Sequence, residues 1–163
     1  RLFLIEQQLQ RGVSFLMNIP SRYAFERRLY ELRKEGALSK ASLCKEVVLC
    51  QKRAYGDVLN SYDPTFWCSK LHFYISHFGF YNWPYTFGYL FSAAVYQRFQ
   101  DEGPSFIPTF EDLLRKTGYR WSEELAAEVL GEDLESTAFW LKAAKPLEQQ
   151  VHAFLELTED VVH

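Results

Sequence analysis

Between Leu71 and Gln97 the chain carries His72, His77, Asn82 and the tyrosines Tyr74, Tyr81, Tyr85 and Tyr89, in a run without a single Asp, Glu, Lys or Arg. Twelve of the 28 Phe, Tyr and Trp residues fall between Phe73 and Phe99. Tyr, Trp and His bury an apolar body while keeping a polar end that needs a partner, a composition suited to the wall of a cleft. Tyr85 and Tyr89, four apart, share one face of a helix, and Gly88 thins that helix where a ligand or backbone could come close. Hydroxyls and imidazoles converging on a cleft are the donors a hydrolase sets opposite its nucleophile, where an oxyanion develops. The same residues also suit an aromatic core whose hydroxyls bond to nearby carbonyls, so both readings stay open for each of them.

Several chemistries have no residues to carry them. The chain has no H-E-x-x-H, no Gly-rich phosphate loop and no G-x-S-x-G elbow. Of its four histidines, His152 and His163 lie near the C-terminus. His72 and His77 are five apart, which on one helix sets them about 140° from each other, so they make no ready metal pair. Read by itself, the chain contains no complete active site.

The elements that must position these residues read as helices throughout. Leu2, Ile5, Leu9, Val13 and Leu16 follow one apolar helix face, which Asn18-Ile19-Pro20 should interrupt. Ser21 can cap a second helix that stops at Gly36, with Arg27, Arg28, Arg33 and Lys34 late in it, where cations suit the dipole. Ser39 opens a third, closing near Gly56. Asp63-Pro64 is expected to start a helix through Trp67, Leu71 and Phe73 that fails near Gly79. Asn82 then caps another, with Pro84 in its first turn, ended by Gly103-Pro104. Helices follow from about Thr109 to Lys116, Ser122 to Leu130 and Ser136 to Glu159, the last one kinked or split at Pro146. With no two-residue alternation and no N-G hairpin, the class is all-α, about seven to eight helices in a single segment over 1–163.

Composition narrows the rest. The uncharged aromatic run invites a membrane-span reading, but Gly79, Asn82, Pro84 and Gly88 break it where a bilayer midplane would lie. No signal-peptide pattern is present, and Cys44, Cys50 and Cys68 are odd in number and form no C-x-x-C pair, which fits free thiols in a reducing cytoplasm. The chain opens at Arg1 and runs straight into Leu2-Phe3-Leu4-Ile5, which reads as a cut edge. Ten Lys/Arg against four Asp/Glu between Arg11 and Arg53 give +6, whereas five against fourteen between Asp101 and Asp160 give −9. A basic first third can serve nucleic acid, but Glu26, Glu31, Glu35 and Glu46 among those cations favour solvated helix faces.

The exact words of the sequence say more. KLHFYISHFGFYNWPYTFGYLFS (Lys70–Ser92), preceded by YDPTFW (Tyr62–Trp67) and IPSRYAFERRLYELRKEG (Ile19–Gly36), closely resembles the C-terminal part of the oligoendopeptidase F family, zinc metallopeptidases related to thimet oligopeptidase. The likeness continues through QDEGPSF (Gln100–Phe106), LLRKTG and DLESTAFW (Asp133–Trp140), covering nearly the whole chain.

The resemblance implies an all-α, two-lobed zincin-type oligopeptidase that hydrolyses short peptides in a deep channel. Zinc in the parent enzyme would be held by an H-E-x-x-H helix and a later Glu, all upstream of Arg1, with none bound by this chain. This segment, partnered by the rest of the polypeptide and a short peptide substrate, would be the wall opposite the metal. Matching the H-F-Y block gives His72, and the F-Y-N-x-P-Y block gives Tyr81 and Tyr85, as catalytic donors that bind substrate and stabilise the tetrahedral intermediate. His77, Tyr74 and Tyr89 are substrate-binding candidates, with His77 a rival to His72 because of its spacing ahead of Tyr81. Neither nucleic acid nor a membrane is an expected partner. The alternative function is a non-catalytic all-α interaction domain that uses the basic first third.

Overall fold

The computed structural model describes residues 1–159; His163 lies outside them. No strand occurs among the described residues, and the helical class stands. The α-helices are α1 (Leu2–Val13), α2 (Ile19–Arg33), α3 (Lys40–Ala54), α4 (Trp83–Glu102), α5 (Ile107–Lys116), α6 (Ser122–Leu125) and α7 (Thr137–Thr158).

Fewer separate rods result than the seven to eight expected, for two reasons. First, Asn18-Ile19-Pro20 does not break the chain's first helix. A π turn over Ser14–Asn18 joins α1 to α2, with the Ile19 N–H reaching back five residues to the Ser14 carbonyl. Pro20 follows, and its missing N–H leaves the Phe15 carbonyl for another donor, so proline is accommodated where the ladder has already slipped. Ser21 therefore does not cap a new helix. It is buried inside this one, its hydroxyl donating to the Asn18 carbonyl at 2.7 Å.

Second, Asp63-Pro64 starts no α-helix. The Asp63 carboxylate accepts from both the backbone N–H and the hydroxyl of Thr65, each at 2.7 Å, which closes a local turn. Only two short 3₁₀ turns follow, Phe66–Ser69 and Leu71–Phe73. Such turns eclipse side chains at every third position and seldom extend. Pro146, in contrast, lies within one uninterrupted α7.

Other signals act as read. Ser39 caps α3 through the Ser42 N–H at 3.1 Å, and Gly36 ends the α2 segment at φ +134. Gly131 at φ +65 closes the turn after α6, its N–H bonding to the Ala127 carbonyl at 3.2 Å. That backbone region costs a residue with a Cβ but not glycine.

The chain forms two compact units. Gln7–Phe87 packs α2 against α3 around Phe25, Val47 and Cys50, with Leu29, Leu43, Phe66, Trp67 and Phe73 completing the cluster. Residues 88–159, with Arg1–Glu6, make the other unit, in which Phe106, Leu113, Leu125 and Leu130 form a buried cluster with Phe91, Val95 and Val129 packed against it. No helix among the described residues is long and apolar enough to cross a membrane.

Candidate functional site

Three aromatic side chains meet in the Gln7–Phe87 unit. The His72 imidazole stacks on Tyr81 with ring centres 5.3 Å apart and meets the Tyr85 ring edge-on at 6.2 Å. The two tyrosines lie 5.8 Å from each other. Both are 39% exposed, so this is a surface wall, unlike the aromatic core that composition alone allowed.

Each of the three residues is next in sequence to an anchor. Phe73, after His72, packs edge-on against Phe25 at 5.2 Å in the core. Phe80, before Tyr81, lodges between Tyr23 and Tyr30 at 5.7 and 5.2 Å, and its N–H donates to the Glu26 carboxylate at 2.7 Å. That bond holds Phe80 at φ +58, a left-handed backbone that a bulky residue seldom adopts unless its surroundings enforce it. Thr86, after Tyr85, donates its hydroxyl to the Phe15 carbonyl at 2.6 Å, which Pro20 leaves without its usual backbone donor. The site is thus assembled by contacts reaching 48 to 71 residues along the chain.

Electrostatics favour protonated tyrosine. The Tyr85 hydroxyl sits above its ordinary value, chiefly through a hydrogen bond with Tyr81 and then through burial, while Arg22 nearby pulls it down. At neutral pH Tyr85 is a neutral donor, the form that can meet developing negative charge. The Nδ1 of His72 is buried with no partner in the protein among the described residues. Asn82, expected to cap α4 with its side chain, is fully buried, and neither its Oδ1 nor its Nδ2 has a protein partner.

His77 and Tyr74 make no ring contact with this trio among the described residues. His77 is exposed. Tyr74 is 54% exposed, and its hydroxyl donates to the Trp67 carbonyl at 3.2 Å. Tyr89 lies on α4 in the unit that begins at Gly88. In that unit a cavity of about 530 Å³ between α4 and α5 is lined by Phe91, Phe99, Phe106, Phe110 and Leu114. Of its lining hydroxyls, Ser92 and Thr117 bond to backbone carbonyls, while Tyr96 is exposed.

Arg22 and Glu26 went unread as site residues. One turn apart on α2, they look like a surface ion pair, whereas Glu26 is 1% exposed and bonded to Phe80 and Tyr30. The only hint was two opposite charges flanking the apolar Tyr23-Ala24-Phe25.

No three His, Cys, Asp or Glu side chains among the described residues come together as a metal site. Comparison of the chain with family models, curated proteins and solved structures finds no match.

Proposed function

We propose that this chain supplies the substrate-facing, oxyanion-stabilising wall of an oligopeptidase that hydrolyses short peptides, its metal ligands coming from polypeptide beyond the residues given. The reading rests on the resemblance of Lys70–Ser92 to the oligoendopeptidase F family. The observation that carries it is the trio of half-buried His72 with exposed Tyr81 and Tyr85. In this reading the Tyr85 hydroxyl, whose ring packs edge-on against Tyr81 at 5.8 Å, turns its single proton to the scissile carbonyl oxygen as charge develops there. His72 is held flat against Tyr81 and orients the pair, and its imidazole offers a second donor or acceptor to the peptide.

A donor that acts mainly in the transition state shows itself in kcat. In the complete enzyme this reading requires, Tyr85→Phe should lower kcat by roughly 10²-fold with KM within about two-fold, measured on a fluorogenic short peptide. Unchanged kcat would remove Tyr85 from the mechanism.

A further inference from the structure

Two cations in the Gln7–Phe87 unit lean on one aromatic ring. The Arg22 guanidinium lies 5.4 Å from the centre of the Phe66 ring, and the Lys70 ammonium lies 4.5 Å from it. Neither has a carboxylate within 4 Å among the described residues, although Arg27, Arg28, Lys52, Arg98 and Lys116 all do. Glu26, the acid one turn from Arg22, is engaged with the Phe80 N–H and the Tyr30 hydroxyl. Two like charges beside one ring repel each other, and with the Asp63 carboxylate acting on Lys70 only from beyond ion-pair distance, an anion that joins the two cations would relieve them.

The nearby hydrogen-bonding groups point the same way. Arg22 Nε and Trp67 Nε1 are buried and meet no acceptor in the protein. Both groups can only donate, so whatever satisfies them must bring an acceptor. Burial holds the Arg22 guanidinium below its ordinary value, opposed in part by Tyr55 and Tyr85. Lys70 is two residues before His72. The cationic corner is thus linked to the tyrosine wall through Lys70-Leu71-His72.

We infer that Arg22 and Lys70, floored by Phe66, form a carboxylate-binding subsite that takes the C-terminal carboxylate of a short peptide lying along the tyrosine wall. This rests on the peptidase-wall reading above and adds to it a basis for preferring short peptides: a substrate fixed by its end is limited in length on that side. A planar guanidinium suits a carboxylate's two oxygens, and the ammonium adds a point charge.

Binding of a pentapeptide as free acid and as C-terminal amide to the full chain, followed by calorimetry, tests this. The acid should bind roughly 10-fold tighter than the amide at low salt, a ratio that shrinks as salt is raised. Arg22→Gln should bring the ratio to about two-fold or less by weakening the acid alone. Should Arg22→Gln unfold, as judged by circular dichroism, Lys70→Gln offers the same readout from a 3₁₀ boundary. Equal affinity of acid and amide for the native chain would overturn the subsite and leave the peptide wall standing. Failure of both peptides to bind would remove the wall and the subsite together.

Discussion

Glu26 shows how one buried charge can organise a surface. Its Oε1 accepts from the Phe80 N–H at 2.7 Å and from the Tyr30 hydroxyl at 3.3 Å, while its Oε2 is buried without a protein partner. The carboxylate, with burial the larger cause, holds the Tyr30 hydroxyl above its ordinary value. Glu26→Ala would leave a buried N–H unpaired and release a residue from left-handed backbone, costing about 2–4 kcal/mol of stability in urea titrations. The same variant should loosen Tyr81, so the His72–Tyr81 stack would weaken in step. A stability within about 0.5 kcal/mol of the native chain would show that Phe80 holds its place without Glu26. This role was invisible in the sequence because the partners are 54 residues apart and the carboxylate's neighbours along α2 suggest an ordinary exposed acid.

At the scale of elements, local signals were legible where one residue decides the outcome unaided. Ser39 caps α3, and Gly36 occupies backbone that other residues avoid. Gly131→Ala should cost about 1 kcal/mol, read from the midpoint of denaturant unfolding, since an added Cβ there meets no atom within 4 Å and only the backbone strain counts. Signals failed where two interpretations compete. Proline at position 20 can end a helix or occupy a slipped turn, and Ser14–Asn18 decides for the second. Asp63 can cap a helix or close its own turn with Thr65, and it does the latter, which holds its carboxyl below the ordinary value. The candidate trio was singled out only by matching the H-F-Y and F-Y-N-x-P-Y blocks to a known family, since spacing alone paired Tyr85 with Tyr89. The cationic corner was not legible, because Arg22, Phe66 and Lys70 are brought together by packing alone.

Across the whole molecule, charge is arranged in local clusters, and one of them sets a pH window. Lys116 bonds to Asp112 and Glu128 at 2.8 Å each, tying α5 to the turn after α6. The Glu128 carboxyl is held below its ordinary 4.5, first by the hydrogen bond from Lys116, and Lys116 is held above 10.5 by its two acids. A depressed carboxyl contributes stability that is present above about pH 4.5 and lost as pH falls through its folded value; a raised amine contributes below 10.5 and loses it as pH rises further. Lys116→Met should thus lower Tm by roughly 1–3 °C at pH 7, and by progressively less below pH 4, in calorimetric scans. A difference that persists unchanged at pH 3 would assign the effect to the lysine's aliphatic stem.

The slipped turn at Ser14–Asn18 makes residue count part of the site. Delete Ser14 and the ladder returns to ordinary pitch, with the Ile19 N–H four residues from the Phe15 carbonyl and free to bond to it. The oxygen that now receives Thr86 would then have a backbone donor, and Tyr85 would lose its mooring although every aromatic side chain remained in place. Chains sharing the tyrosine motif can therefore be sorted by the length of this upstream stretch before any assay is run.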